Sequence, residues 1–299
     1  MTDSALVSII VPIYNAARFI DNVMGSIAKQ DYENYEVIFI DDGSTDNSVQ
    51  KIRDYDSSTV KIFSKKNEGP AKARNFGILQ ATGKFVAFHD ADDAWHRSKL
   101  SKQVALFQTR PSLGLVFSNA HYVVMDSGKV MGESIPSGLD ANNITKELMT
   151  RGCFILTSSV IIRRDALLAV GMFDDSLIFA EDWDLFFRIS ERYEVDYVRE
   201  VLLEQRAHRS SITSDESKRH RRIQDERRVV DKMYSYASLY GLTEKDKKKM
   251  LQKLLLFNAE RCLFDGNRAL VRKYLSDAFL LNPLNGAFYK LYAHYILSR

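Results

Sequence analysis

The strongest constraint on the fold is a set of four short apolar segments in the first 90 residues, with helix-like segments between them. The apolar segments are residues 6–13, 35–40, 60–65 and 84–90, and each has apolar side chains on both faces of an extended chain. Residues 16–29, after the first segment, instead show apolar positions at helical spacing. Strands that are apolar on both faces and alternate with helices predict a parallel sheet covered by helices on both sides.

The rest of the pattern extends this α/β arrangement. The pattern predicts a helix over 95–107, a strand over 113–125, a loop over 126–145, a strand over 157–164, a short helix after it, a helix over 182–192 and an extended segment over 196–208. Neither a G-x-G-x-x-G string nor a P-loop follows a strand, so dinucleotide-binding Rossmann proteins and Walker ATPases lack support. Polar residues nevertheless follow the strand ends, where open α/β sheets bind their ligands.

Composition excludes several classes of protein. The 299 residues are 45% hydrophobic and 27% charged, which are ordinary globular proportions. No apolar run approaches the roughly 18 residues that span a bilayer, and the opening MTDSALVSII has no basic segment typical of a secretory signal. The two cysteines, Cys153 and Cys262, have neither metal-like nor redox-like spacing. We therefore expect a reducing, cytoplasmic location.

Charge divides the chain into two regions. Residues 216–299 contain 18 Lys and Arg against 9 Asp and Glu, whereas the preceding 215 residues contain 24 against 30. Strand signals also stop near residue 215, which predicts one domain over 1–215 and a basic helical region over 216–299. Residues 251–282 predict a helical hairpin similar to a tetratricopeptide pair. The charge runs at 219–222 and 245–250 fit either a solvated face or contact with an anionic membrane, and no nucleic-acid motif is present.

The first candidate site is Asp41-Asp42-Gly43-Ser44, directly after the second strand. A carboxylate in this position can accept the N–H of a uracil-like base or a ribose hydroxyl. The same residues are also favoured as turn and cap residues for the next helix. Both interpretations stay open on this motif alone.

The second candidate site is the segment 89–93, HDADD, after the fourth strand. Carboxylates two positions apart at a strand end can reach a common hard cation, and Mg²⁺ or Mn²⁺ held by one or two carboxylates keeps positions open for phosphate oxygens. Such a cation would neutralise a departing diphosphate. The alternative is a solvated acidic turn, which would leave three carboxylates crowded beside a buried strand.

Two further segments carry charge at the start of predicted helices. Lys72 and Arg74 lie in the first helical turn after residue 69, against the preference set by the helix dipole, which indicates a nearby anion or carboxylate. Arg74 could equally be a structural clamp on the acidic cluster. Glu181 and Asp182 open another helix, where they either complement the dipole or supply a general base to a pocket.

Taken together, five motifs closely resemble those of the family 2 glycosyltransferases of the GT-A fold. The motifs are P-x-Y-N at 12–15, D-D-G-S-T-D at 41–46, N-E-G-x-x-x-A-R-N at 67–75, D-A-D-D-x-W at 90–95 and E-D-W-x-L at 181–185. The resemblance covers residues 6 to about 210 and implies a Rossmann-like mixed sheet with helices on both faces, followed here by a C-terminal helical region. It also implies transfer of a sugar from a nucleotide donor.

For the donor, the resemblance implies roles for several residues. Pro12, Tyr14 and Asn15 would line the nucleotide pocket. Asp42 would accept the base N–H, which favours UDP-sugars or dTDP-sugars. The remaining donor-site residues implied in this way are Asn67, Arg74, Asn75, Asp90 and Asp92.

For the metal and the acceptor, the resemblance implies that Asp92 holds Mg²⁺ or Mn²⁺ at the diphosphate. His208 matches a position near that metal, although a lone histidine is also often structural. Asp182 would be the catalytic base of an inverting displacement, with Glu181 and Trp183 at the acceptor site. Since base and metal lie on opposite sides of the reacting carbon, we expect the Asp182 and Asp92 carboxylates within about 10 Å.

The sequence departs from the family pattern at a few positions. Ala17 stands where a Glu is common, and residues 171–175 read GMFDD where GGFDE is frequent. Neither a Q-x-x-R-W string nor a transmembrane pair is present, which argues against a processive synthase. The expected acceptor is a hydroxyl of a glycan or lipid-linked molecule in surface polysaccharide synthesis, with peripheral membrane contact through the basic helices at the cytoplasmic face. A haloacid-dehalogenase-like phosphatase and a catalytically silent sugar-nucleotide-binding protein are the alternatives.

Overall fold

The computed structural model describes residues 4–55, 57–208 and 216–297. Nine strands of the described chain form one sheet. The strands are β1 Val7–Ile13, β2 Tyr35–Asp41, β3 Val60–Ser64, β4 Phe85–Phe88, β5 Ala94–Trp95, β6 Leu113–Val124, β7 Lys129–Glu133, β8 Ile161–Arg163 and β9 Glu194–Ala207.

Helices alternate with these strands and then follow them. The helices are α1 Ile20–Ala28, α2 Ser48–Arg53, α3 Pro70–Gln80, α4 Lys99–Thr109, α5 Ile144–Arg151, α6 Arg164–Val170, α7 Glu181–Ser190, α8 Arg219–Tyr234, α9 Glu244–Phe264, α10 Arg268–Leu281 and α11 Gly286–Leu297. The mixed α/β architecture predicted from the sequence is therefore confirmed, including the C-terminal helical region.

The sheet has the strand order β3-β2-β1-β4-β8-β6-β9-β5, and β7 pairs with β6. The first four strands are mutually parallel, as the sequence predicts. β8 is antiparallel to both of its neighbours, and β6 and β9 then form a long parallel pair. The carboxyl ends of β1, β2, β3 and β4 consequently meet at one edge of the sheet, and this edge carries the predicted site residues.

Helix α3 lies directly against β1, and a glycine makes this approach possible. A Cβ at Gly77 would lie 2.5 Å from Cγ2 of Ile10, which is much closer than a carbon contact allows. Pro70 begins the helix, where a missing backbone N–H carries no penalty. These two features fix the first turn of α3, and with it Arg74, beside the end of the sheet.

The structure corrects several predicted elements. The predicted loop 126–145 contains β7 and the first residues of α5. All five residues of β7 are exposed, so this strand has little hydrophobic signal and is defined by its pairing with β6. The predicted strand 157–164 is a 3-10 turn followed by the short β8, and the predicted helix at 95 begins only at Lys99, after the two-residue β5.

The described chain divides into two compact units. The first comprises residues 1–144, 153–176 and 181–208, and the second comprises residues 145–152, 177–180 and 209–299. The second unit thus takes in two short segments that the sequence places in the transferase domain. The predicted boundary after residue 215 adjoins residues 209–215, which lie outside the described residues, and it stays a prediction.

The second unit is helical and has its own apolar core. Residues of α8, α9, α10 and α11 share this core, among them Leu255, Cys262 and Tyr274. The predicted hairpin is confirmed: α9 and α10 are joined at Gly266, whose φ of 75° suits glycine, and Asn267 caps α10 by accepting the Leu270 N–H at 3.2 Å. α11 lies within the region that the sequence predicts to be helical, although its bounds were not predicted. In the described chain, no helix combines the length and apolar content that a membrane span requires.

Candidate active site

The loops after β1 and β2 are tied together by side-chain hydrogen bonds. Asn15, with a left-handed φ of 49°, accepts the Thr45 backbone N–H on Oδ1 at 2.8 Å, and its own N–H donates to Ser44 Oγ at 2.9 Å. Ala17 donates its N–H to Asp46 at 3.1 Å. This network leaves Tyr14 exposed over 53% of its surface at the sheet edge. The geometry therefore presents Tyr14 as a face on which a flat ligand can rest.

Asp42 is buried at the end of β2 and organises the loop before α3. Its carboxylate accepts a hydrogen bond from Lys65 Nζ at 2.9 Å, from the Glu68 N–H at 3.1 Å and from the Gly69 N–H at 2.7 Å. The Asp42 carboxylate therefore binds the backbone N–H groups of the loop 65–69 and does not cap α2. A base N–H would have to share these carboxylate oxygens, so donor recognition by Asp42 stays a prediction.

Arg74 joins two acidic segments that are far apart in the sequence. Its Nη2 lies 2.8 Å from Asp90 Oδ1 and its Nη1 lies 3.0 Å from Glu181 Oε1. The arginine is only 6% exposed. Burial alone would lower the pKa of Arg74, but the charges of Asp90 and Glu181 outweigh it, so the pKa is raised. Arg74 is accordingly a clamp on the acidic cluster, the structural alternative that the sequence left open.

Asn75, the next residue of α3, has a structural role as well. Its Nδ2 donates to the Phe173 carbonyl at 2.9 Å, and its Oδ1 accepts the Phe173 N–H at 2.9 Å. The side-chain amide of Asn75 thus both donates to and accepts from the backbone of Phe173. The pairing gives Asn75 a structural role, and its predicted contact with the donor stays a prediction. Asn67, in contrast, is exposed, and its predicted donor contact stays a prediction.

The segment after β4 gathers three carboxylates, those of Asp90, Asp92 and Asp93, within four residues. Burial and the charge of Asp90 raise the pKa of Asp92, and burial and the charges of Asp90 and Asp92 raise the pKa of Asp93 well above its usual value. His208 Nε2 lies 2.8 Å from Asp92 Oδ2. Asp90 is anchored by its backbone N–H, which donates to Ser158 Oγ at 2.9 Å. The excess of negative charge suits a cation at Asp92.

The donor atoms near Asp92 determine whether this site can hold a divalent metal ion. No group of three or more His, Cys, Asp or Glu side chains in the described residues is arranged as a complete metal site. Asp92 and His208 do present one oxygen and one nitrogen to a common point, and both side chains are partly exposed. Mg²⁺ and Mn²⁺ are often held by one or two protein ligands together with substrate phosphates and waters. The two residues fit that pattern.

Glu181 and Asp182 occupy the start of α7. The pKa of Glu181 is raised to about 7, because burial and the neighbouring Asp182 charge outweigh the opposing Arg74. Asp182 Oδ1 accepts the Trp183 N–H at 2.7 Å, and Asp182 Oδ2 accepts a long hydrogen bond of 3.4 Å from Thr157 Oγ1. Burial and the charges of Cys153 and Asp182 raise the pKa of Tyr122, in β6, to about 12.

The comparison with family models decides the classification of the chain. The model described as glycosyl transferase family 2 matches residues 8–170, which is more than half of the 299 residues. The chain belongs to glycosyltransferase family 2. This assignment confirms the resemblance drawn from the five motifs and replaces the phosphatase alternative. The family model covers β1 to α6 and thus includes Asp42, Arg74 and Asp92.

Relatives of this family 2 chain come from several bacteria. An uncharacterized glycosyltransferase of Rickettsia bellii is 34% identical over 189 residues, which are 63% of this chain and 27% of the relative. The UDP-Glc:alpha-D-GlcNAc-diphosphoundecaprenol beta-1,3-glucosyltransferase WfgD of Escherichia coli is 29% identical over 226 residues, which are 75% of this chain and 85% of WfgD. The chain thus spans about a third or less of the first Rickettsia relatives it matches.

Solved structures of other proteins show the fold alone. S. aureus TarS 1-349 superposes with a TM-score of 0.66 and 22% identity, covering 93% of this chain and 81% of TarS 1-349. The mannosyltransferase PcManGT of Pyrobaculum calidifontis, in complex with GDP-Man and Mn²⁺, superposes with a TM-score of 0.62 and 20% identity, covering 99% of this chain and 81% of that chain. These likenesses confirm the GT-A-like fold of this family 2 chain.

The structure brings most of the predicted site residues of this family 2 chain to one region of the first unit. Arg74 links Asp90 to Glu181, and His208 meets Asp92. Trp183 is an exception. It is only 2% exposed and packs in the core as part of α7, and its predicted place at the acceptor site stays a prediction.

Sequence reasoning missed three residues that contact this region. Thr157 contacts Asp182, Ser158 holds the backbone of Asp90, and Arg18 Nη2 lies 3.4 Å from His208 Nδ1. The sequence pattern predicts a strand at Thr157 and Ser158, and neighbouring side chains of a strand point to opposite faces. In the observed 3-10 turn, both side chains instead contact the site. Arg18 lies three positions after the last residue of the P-x-Y-N motif, and that position is the signal that could have identified it.

Proposed function

We propose that this chain is a metal-dependent, inverting hexosyltransferase. It transfers a hexose-type sugar from a UDP-sugar, or from a dTDP-sugar, to a hydroxyl of a glycan or lipid-linked acceptor in surface polysaccharide synthesis. The observation that carries the proposal is the Arg74 bridge, at 2.8 Å to Asp90 and 3.0 Å to Glu181. This bridge supports a single site in which the acidic strand end faces the start of the helix that carries Asp182.

Asp182 is the proposed catalytic base. As the acceptor hydroxyl attacks the anomeric carbon, Asp182 takes the hydroxyl proton, and the bond to the nucleoside diphosphate breaks on the opposite side. This geometry inverts the configuration of that carbon. It requires the Asp182 and Asp92 carboxylates to lie within about 10 Å, a gap that holds one hexose.

Asp92 and His208 are the residues that would hold Mg²⁺ or Mn²⁺. When bound, the ion would supply charge neutralisation for the departing diphosphate. Asp92 is suited to binding a cation, because burial and the charge of Asp90 raise its pKa, and a bound cation would favour its ionised form. His208 is oriented toward Asp92 by its ring contact with Phe19, whose centroid lies 5.3 Å away.

The donor and acceptor classes are supported by the relatives. WfgD is a glucosyltransferase that uses UDP-Glc and a diphosphoundecaprenol-linked acceptor. TarS has been crystallised with UDP and with UDP-GlcNAc. A UDP-sugar and a lipid-linked acceptor are therefore the first compounds to test with this chain.

Release of UDP from a panel of UDP-sugars in the presence of Mn²⁺ tests the proposal. Family members of this kind would hydrolyse their own donor slowly without an acceptor, so one donor should release UDP well above the rate of an Asp182→Asn control. Binding of UDP-sugars without UDP release, with or without an acceptor, would favour a catalytically silent sugar-nucleotide-binding protein. Absence of both binding and release would contradict the proposal.

We further propose that the basic C-terminal domain, residues 216–299, places the enzyme peripherally at the cytoplasmic face of the membrane. Within residues 268–297 there are four Lys and Arg and a single acidic residue, Asp277. The same segment exposes large apolar and aromatic side chains, namely Phe279, Leu280, Leu284, Tyr289, Tyr292 and Leu297. Exposed aromatic and cationic side chains together favour the interface of an anionic bilayer.

Co-sedimentation with vesicles tests the membrane contact. Binding should be stronger to phosphatidylglycerol vesicles than to phosphatidylcholine vesicles, and it should weaken as salt rises. A Leu280→Ser, Leu284→Ser double variant should bind less, since both side chains are at least 80% exposed. Binding that ignores lipid charge and salt, or no binding at all, would contradict the membrane contact.

A further inference from the structure

Helix α3 packs closely on the sheet, and Arg74 projects from its second turn. Gly77 allows α3 to lie against Ile10 of β1, and Asn75 pairs in both directions with the backbone of Phe173. The Arg74 guanidinium also lies 5.6 Å from the ring centroid of Phe173. The backbone of Arg74 is therefore fixed by the packing of α3, and its guanidinium is placed beside Phe173 as well as beside the two carboxylates.

The two carboxylates that Arg74 contacts belong to opposite sides of the proposed site. Asp90 follows β4 and lies two positions before Asp92, on the donor side. Glu181 precedes Asp182, on the side of the proposed base. Each nitrogen Nη of one planar guanidinium contacts one of them, a geometry that a single ammonium group cannot reproduce.

We propose that Arg74 is a positioning residue for the transfer reaction, holding the start of α7 against the end of β4 so that Asp182 keeps a fixed place relative to the donor. The inference rests on the proposed transferase function and adds a role that Arg74 exerts through its contacts with Asp90 and Glu181. Its exposure of only 6% supports action through Asp90 and Glu181 rather than through the substrate.

The position of Arg74 has an electrostatic consequence for Asp182. Among the described residues, Arg74 of α3, Tyr122 of β6 and the adjacent Glu181 each interact electrostatically with Asp182, and Asp90 after β4 acts on Arg74 and Glu181. Loss of the Arg74 charge removes a cation from beside the buried Glu181 and the half-buried Asp182, which disfavours ionisation of the pair. Loss of the Glu181 charge has the opposite effect on Asp182.

Three variants separate these effects: Arg74→Gln, Arg74→Lys and Glu181→Gln. The measurement is kcat and KM for the donor from pH 5.5 to 9, using the donor identified by UDP release. R74Q should lower kcat about 100-fold, the scale expected when a reacting group is misplaced by about 1 Å, and should move the acidic limb of the kcat profile to higher pH. R74K should also lower kcat but leave the limb near its wild-type position. E181Q should move the limb to lower pH.

Arg110 provides a matched control. It also contacts two carboxylates through Nη1 and Nη2, those of Asp196 and Glu194, but on an exposed surface at the start of β9. R110Q and R110K should leave kcat and the pH profile unchanged. Circular dichroism and UDP titration of every variant show whether it is folded, and if R74Q does not fold, R74K and E181Q decide.

The outcomes distinguish this inference from the proposed function. A wild-type protein that neither hydrolyses nor transfers any donor contradicts the proposed function. An active wild type with R74K and E181Q variants that keep wild-type kcat and pH profiles overturns the role of Arg74 and leaves the transferase function standing. Limbs that move in the same direction in R74Q and E181Q would also overturn it, because a general loss of structure shifts both alike.

Discussion

Nε2 of His208 lies 2.8 Å from Oδ2 of Asp92, although 116 positions separate these residues in the sequence. The contact forms because β9 runs parallel to β6 to their common end at Ala207 and Val124. His208 is the residue directly after β9, so the end of this long strand places it next to Asp92. The pair joins the last residue of the described first unit to the acidic turn after β4.

We predict that His208→Gln weakens metal binding more than it affects folding. Removing one of two protein ligands should raise the Mn²⁺ concentration for half-maximal UDP release at least 10-fold, on the scale seen when groups supporting a metal are removed. Titration calorimetry of Mn²⁺ in the presence of UDP measures the same change. His121→Gln is the control, since its imidazole lies 3.8 Å from Glu133 in a similar pair outside the site. An unchanged Mn²⁺ requirement in H208Q would contradict the assignment of His208.

We predict that Asp182→Asn separates binding from catalysis. The amide keeps the shape of the carboxylate and can still accept the Trp183 N–H, so the start of α7 should be preserved. UDP affinity measured by calorimetry should change less than 3-fold. Transfer should fall at least 100-fold, since loss of a general base typically lowers rates 10²- to 10⁴-fold. Parallel loss of UDP binding and transfer would instead identify Asp182 as a structural residue.

The parallel half of the sheet could be predicted from the sequence because its strands are apolar on both faces. The site could be predicted in outline, since Asp42, Asp90 and Asp92 follow strands whose carboxyl ends share an edge. The sequence pattern does not predict which partner each of these side chains contacts. For Asp42 the sequence left open a ligand contact or a cap role, and only the structure shows that its carboxylate accepts hydrogen bonds from Lys65, Glu68 and Gly69.

Pairings over long sequence distances are the part of the structure that the local pattern does not specify. Asn75 and Arg74 lie in a motif that resembles a donor site, but their partners, Phe173 and Glu181, lie about 100 positions away. Nothing in the local sequence of α3 encodes these partners. β7 was missed for a related reason, since its exposed residues are extended only through pairing with β6.

We predict that the buried His89 makes the protein less stable in acid. His89 is 0% exposed, stacks on Trp95 with centroids 4.5 Å apart, and burial lowers its pKa to about 4. Between pH 6.5, where the unfolded histidine takes up a proton, and pH 4, the unfolded state binds more protons than the folded state, so stability falls as pH falls. From pH 7 to pH 5 this amounts to about 2 kcal/mol.

Urea unfolding at pH 7 and pH 5 measures the effect of His89. His89→Gln should lose about 2 kcal/mol less than the wild type between these two pH values. Glu181, whose pKa is raised, titrates in the same window in both proteins and cancels in the comparison. His294→Gln controls for the loss of an exposed histidine and should match the wild type. Equal pH dependence of the wild type and H89Q would refute the assignment.

We predict that replacing the buried Lys99 with Met stabilises the fold. Lys99 is 0% exposed, and among the described residues its Nζ has no hydrogen-bond partner, although it lies 4.2 Å from the centroid of Trp95. Burying a charge or an unpaired amine is costly, and contact with an aromatic ring returns only about 2 kcal/mol. Met fills a similar volume without either cost, so K99M should raise the free energy of unfolding by about 1–2 kcal/mol.

The pH dependence of this gain gives the decisive measurement for Lys99. Burial places the pKa of Lys99 well below its usual value, so the unfolded state binds the extra proton and wild-type stability rises with pH up to about pH 10.4. The advantage of K99M in urea unfolding should therefore shrink from pH 7 to pH 9. Lys102→Met on the same helix is the control, because Lys102 is partly exposed and paired with Glu200. A K99M protein less stable than the wild type at pH 7 would mean that the contact with Trp95 outweighs the burial of the ammonium group.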